Sequence, residues 1–163
     1  MKRFKLIPLL LLIPVALVTG CNKKAPETTT AAKPPPKHEH KPPHGGTPVV
    51  LGDEIYHVEL VLDAASGKLQ AFVFDGELEN FIRSTVPTLQ IDATVNGEAR
   101  QVVLSAVANP ATGEAVGDTS LFEGQADWLK SAKEFDATLK TITIRGTTFA
   151  DVKFNFPKGN DKD

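Results

Sequence analysis

The chain has 163 residues, 41% of them apolar and 23% charged, and its 18 Lys and Arg against 20 Asp and Glu give a net charge of −2. One Cys allows no intrachain disulfide, and an acidic balance supplies no basic face, so a disulfide-stapled scaffold and a nucleic-acid binder are both excluded.

At the N-terminus, Lys2, Arg3 and Lys5 precede an apolar run from 6 to 18, interrupted by Pro8 and Pro14 and then closed by small residues. That is the three-part layout of a secretory signal peptide, and the run is too short to span a bilayer as a helix. Its end, Leu17-Val18-Thr19-Gly20-Cys21, resembles the lipobox of bacterial lipoproteins, with Gly20 before the only Cys and Val18 at the usual leucine position. The resemblance implies cleavage before Cys21 and lipid, palmitate included, on Cys21. It also implies a membrane anchor at the bacterial cell envelope, with the rest of the chain facing the periplasm or the exterior. An ordinary cleaved signal with an incidental cysteine is the alternative. A lipidated Cys21 loses its thiol as nucleophile, metal ligand or disulfide partner. Removal of residues 1–20 takes three cations, leaving 15 against 20 acids, a net charge of −5.

Residues 21–47 read as the lipidated cysteine followed by a disordered linker. The segment holds Thr28-Thr29-Thr30, Pro34-Pro35-Pro36 and Pro42-Pro43 and has almost nothing apolar to bury, so ordering it cannot be offset by burial. Fully extended at about 3.1 Å per residue, it would hold the domain roughly 80 Å from the lipid. Three of the four histidines, His38, His40 and His44, fall in its second half.

From residue 48 to 157 the chain turns to short β-rich runs between turn signals, and its length suits one core; residues 158–163 read as a polar tail. The run from 55 to 63 alternates Tyr56, Val58, Leu60 and Leu62 against His57, Glu59 and Val61, and the run from 69 to 75 alternates with Phe72 and Phe74 on its apolar side. A three-residue loop with Gly67 in the left-handed position would pair Ala64 with Lys68. That register sets Val58 opposite Phe74 and Leu60 opposite Phe72 inside, and His57 opposite Asp75 outside. In the second hairpin, 88–95 and 98–107 flank Asn96-Gly97, the preferred pair for a type I′ turn. Counting back from it pairs Leu89 with Leu104, Ile91 with Val102 and Asp92 with Gln101.

Asn109-Pro110-Ala111-Thr112-Gly113 predicts a turn leading into a small-residue loop up to Thr119, then a short strand over 120–125. A helical turn capped by Asp127, with Trp128 and Leu129 packing down, follows. The last pair is 135–145 and 149–156, joined around Gly146. In it, Phe135, Ala137 and Leu139 are out of phase with Ile142 and Ile144, which predicts a bulge or bend near Lys140-Thr141. The whole predicts an all-β fold, a single antiparallel β-sandwich of about six to eight strands, with a closed barrel as the runner-up.

Phosphate-cradling Gly-rich loops, a Gly-x-Ser-x-Gly elbow and a His-Glu-x-x-His pair are all missing from the sequence, and nothing marks a serine beside His57 and Asp75 as a nucleophile, so the expectation is a binding protein and not an enzyme. Imidazole suits copper and zinc. A metal site is expected from His44, His57 and Glu59, with Asp75 holding the second ring nitrogen of His57 and with His38 and His40 as a capture arm. A plain cross-strand pair between His57 and Asp75 is the simpler account. The pattern His44-Gly45-Gly46, Gly52-Asp53, Tyr56-His57-Val58-Glu59-Leu60 and Asp75-Gly76 resembles the start of small periplasmic domains associated with bacterial heavy-metal efflux and resistance proteins. It implies the same metal role. The alternative function is a tethered β-sandwich interaction module that docks a protein or cell-wall partner through loops such as 110–119, with the histidines incidental.

Overall fold

The computed structural model describes residues 41–161. Cys21, His38, His40, the signal-like segment and most of the linker lie outside them. The all-β antiparallel fold expected from the alternation is present, with eight strands: β1 (Thr47–Leu51), β2 (Tyr56–Asp63), β3 (Lys68–Asp75), β4 (Thr88–Val95), β5 (Glu98–Ala106), β6 (Leu121–Gln125), β7 (Phe135–Ile144) and β8 (Thr147–Phe156). They hydrogen-bond in one sheet of order β1-β2-β3-β6-β5-β4-β7-β8. The sheet curls until its two halves face each other across a single core that includes Val58, Leu60, Leu89, Ile91, Phe122, Leu139, Ile142 and Phe154. Closure between the edges β1 and β8 is made by a side chain. Asn160 accepts from Val50 N–H through Oδ1 at 2.7 Å and donates from Nδ2 to the Val50 carbonyl at 3.1 Å, imitating one rung of a strand ladder. Among the described residues no helix is long and apolar enough to cross a membrane.

Hairpin β4–β5 has the register that its Asn-Gly turn dictates, with Leu89 opposite Leu104, Ile91 opposite Val102 and Asp92 opposite Gln101. Asn96 and Gly97 both take positive φ, 51° and 82°. The phase change predicted in the last hairpin is also present. Leu139 still faces Val152 and Thr141 faces Ala150, so no residue is inserted; the bend is absorbed at Asp151, whose φ is 50° and whose carboxylate pairs with Lys140. A 3-10 turn over Asp127–Lys130 replaces the expected helical turn. Asp127 does not cap it; Ala126 holds that position with no side-chain bond, while Asp127 pairs with Lys130 at 2.7 Å. Leu129 packs into the core and Trp128 sets its edge against Phe135, as expected of both.

Hairpin β2–β3 departs from expectation by one residue. Asp63 pairs with Lys68, which places His57 opposite Phe74, Val58 opposite Val73 and Tyr56 opposite Asp75. The loop has four residues, closed by Gly67 N–H to the Asp63 carbonyl at 2.8 Å, with Gly67 at φ 75°. Asp63 draws the turn back onto itself: its carboxylate accepts from Ala65 N–H at 3.0 Å and from the Ser66 hydroxyl at 2.6 Å. Leu69, Ala71 and Val73 therefore face the main core, and Phe72 and Phe74 lie on the other side of the sheet. The pairing of Val58 with Phe74 and of His57 with Asp75 is corrected accordingly.

Candidate functional site

The outward side of β2 carries His57, Glu59 and Val61, which a sheet with one solvated face would expose. Instead His57 and Glu59 are fully buried. The covering comes from two segments. One is a strap over residues 42–46, in which Gly45 N–H closes a turn onto the Pro42 carbonyl at 3.0 Å and Pro43 presets its φ for the second turn position. The other is the connection after β3, which returns Phe81 to stack on Phe74 with ring centroids 4.6 Å apart. Together they build a second, smaller cluster on the outside of the sheet.

Glu59 is the anchor of the strap. Its Oε1 accepts from His44 N–H and Gly46 N–H, each at 2.8 Å, and its Oε2 accepts from His44 Nδ1–H at 2.7 Å. A buried carboxylate costs several kcal/mol unless its lone pairs are filled, and three donors from five residues of chain fill them. Gly46 must be glycine for this approach: a Cβ there would stand 2.5 Å from the Leu60 carbonyl oxygen and 2.9 Å from Glu59 Cγ. The His44 ring lies flat on Phe72, centroids 4.1 Å apart and planes 17° from parallel, and its side chain is 37% exposed. Because Nδ1 carries the proton that Glu59 accepts, the lone pair of the neutral ring sits on Nε2.

His57 stands two residues along the same face, with Nδ1–H donating to the Asp75 carbonyl oxygen at 3.3 Å. The expected bond to the Asp75 carboxylate is not made. That carboxylate accepts from Glu79 N–H at 3.0 Å, Asn80 N–H at 3.2 Å and Asn80 Nδ2 at 2.7 Å, and so holds the loop after β3. Desolvation pushes the Asp75 carboxyl up, but the donors of Asn80 and Glu79 outweigh it and leave its pKa below the usual carboxylate value.

Of the expected site residues, the fold thus brings His44 and Glu59 into direct contact, buries His57 beside them and turns Asp75 away. Among the described residues no group of three or more His, Cys, Asp or Glu side chains is placed to hold a metal ion. Sequence reading missed the aromatic frame of Phe72, Phe74 and Phe81. The signal was present: Phe72 and Phe74 share a face with neither Leu69 nor Ala71, so β3 has apolar residues on both sides.

The loop expected as a docking surface is ordered by Arg83, which pairs with Asp118 at 2.7 Å and donates to the Thr112 carbonyl at 2.6 Å. Glu114 ties its end, accepting from the Ser120 hydroxyl at 2.6 Å and Ser120 N–H at 2.8 Å. No protein-family model, no curated protein and no solved structure matches the chain.

Proposed function

We propose that the protein is a lipid-anchored binding protein of the bacterial cell envelope, held at the membrane through Cys21, and that it captures a copper or zinc ion at His44. The observation that supports this most is the bond of 2.7 Å between His44 Nδ1 and the buried Glu59 Oε2. A carboxylate on one ring nitrogen fixes the tautomer and orientation of an imidazole and raises the basicity of the other nitrogen, the usual support for a metal-ligating histidine. Glu59 then does what Asp75 was expected to do, and His44 replaces His57 as the ligand on the folded domain. His40 and His38, four and six residues earlier in the chain, supply further imidazoles. The domain acts by binding and not by catalysis.

The test is calorimetric titration of Cu²⁺ and Zn²⁺ into the chain from residue 21 carrying Cys21→Ser. His44→Ala removes the tightest site, the paired change His38→Ala and His40→Ala weakens it, and Glu59→Gln weakens it by roughly 10–100-fold. Metal binding by His44→Ala equal to the parent's, or no heat in the parent, overturns the metal reading. The anchor is tested separately: Cys21→Ser in the full chain moves the protein out of the membrane fraction, and its retention there overturns lipidation.

A tethered interaction module is the second reading. It is favoured by Phe81, which is 56% exposed while stacked on Phe74, a rigid apolar group at the surface of the same cluster.

A further inference from the structure

Away from the His44 cluster, strands β5, β4, β7 and β8 line a cleft of about 890 Å³. Register explains its lining. Gln101, Asp92, Thr138 and Lys153 are successive cross-strand neighbours and so stand in one row on one face; Ala99, Thr94, Asp136 and Asn155 form the next row. The alternate residues Ala93, Ala137 and Phe154 are buried on the core side. Every outward side chain of the two rows except Ala99 is polar, and the sheet beneath them is rigid backbone.

Several of these groups are held in place. Asp92 Oδ1 accepts from Gln90 Nε2 at 2.9 Å and from Gln101 Nε2 at 3.0 Å, which leaves Oδ2 as an oriented acceptor. Asp136 Oδ1 accepts from Asn155 Nδ2 at 2.9 Å in the same manner. The hydrogen bonds from Gln101 and Gln90 also keep the Asp92 carboxyl below its usual pKa, so it is ionised at neutral pH. Thr94 and Thr138 contribute hydroxyls, and Lys153 an ammonium.

The chemistry selects one ligand class. Nucleic acid needs a positive lining, whereas the charged side chains of the two outward rows are Asp92 and Asp136 against Lys153 alone. An apolar segment would leave the carboxylates and amides without partners. A neutral molecule bearing many hydroxyls, each both donor and acceptor, meets carboxylate acceptors, amide and ammonium donors, and threonine hydroxyls alike. Four strands at 4.7–4.9 Å spacing give a row of about 14 Å, longer than one sugar ring. We propose that this face binds a short oligosaccharide laid across β5, β4, β7 and β8. The site is separate from the His44 cluster and does not depend on metal binding there.

Cellotetraose and chitotetraose, titrated by calorimetry into the chain from residue 21 with Cys21→Ser, are the probes, with glucose and N-acetylglucosamine as single units. At least one tetraose binds saturably and more tightly than its single unit. Thr138→Val, which keeps the β-branched shape and removes a hydroxyl with no internal bond, and Asp92→Asn each weaken it by roughly five-fold or more, as the loss of one hydrogen bond predicts. His44→Ala leaves it unchanged. Should Asp92→Asn lower the unfolding midpoint, Thr138→Val alone decides. Failure of both tetraoses to saturate, equal affinity for the single units, or parent-like binding by Thr138→Val overturns the proposal.

Discussion

His44 Nδ1 lies 2.7 Å from Oε2 of a Glu59 side chain that is 0% exposed, fifteen residues away in sequence. One carboxylate, accepting three hydrogen bonds, therefore holds the strap of residues 42–46 against the sheet. Removing the acceptor strands two backbone N–H groups and a ring N–H. Glu59→Ala is expected to cost about 2–4 kcal/mol, because each partly buried donor left without a partner is destabilising by roughly 1–3 kcal/mol and the strap recovers some of that by detaching into water. Urea unfolding measures the loss. Hydrogen exchange at Gly46 rises in step, and unchanged protection there would show that the strap is held by something else.

Packing of the outer cluster is tested by a pair of phenylalanines that stack on each other. Phe74 is 1% exposed and Phe81 is 56% exposed. Phe74→Ala leaves a cavity between the sheet and its cover and is expected to cost about 3–5 kcal/mol, whereas Phe81→Ala, already open to water, costs roughly 1 kcal/mol or less. Equal losses at the two positions would mean that Phe81 is covered in solution.

A pH dependence follows from Asp75. Its folded pKa is depressed, so its contribution is fully present above the unfolded value and is lost as pH falls through the folded one. Protection of the Glu79 and Asn80 amides, taken relative to the intrinsic exchange rate at each pH, is therefore expected to hold at neutral pH and to fall only below the ordinary carboxylate value of 3.8. Asp75→Ala, which removes the Oδ1 that accepts from both amides, should lose their protection at all pH values. A loop that loosens between pH 5 and 7 would assign the effect to another group.

At the seam, Asn160→Ala deletes both bonds to Val50 and opens the edge between β1 and β8. The expected cost is about 1–3 kcal/mol, for one donor and one acceptor left unmade. Its signature is local: the Val50 amide exchanges fast while those of β4 and β5 keep their protection. Global loss of protection with no selective effect at Val50 would refute the clip.

Several features were settled by sequence alone. Asn96-Gly97 can form only a tight primed turn, and with one apolar and one largely polar face on β4 and β5 a shifted register would bury Asp92 and expose Ile91, so the hairpin had a single solution. The phase change between Leu139 and Ile142 likewise required a bend, because a regular strand cannot put both on one side. The β2–β3 register was decided only in three dimensions. Both strands are covered on both faces, so a one-residue shift still buried apolar groups and alternation lost its power to discriminate. What broke the tie was the Asp63 carboxylate, which enlarges the loop to four residues. The position of Glu59 was equally unreadable locally, since an outward carboxylate is normally solvated; it is buried because residues 42–46, part of an expected linker, return with three donors matched to its oxygens. Such a match depends on where two distant segments meet, which tertiary packing alone determines.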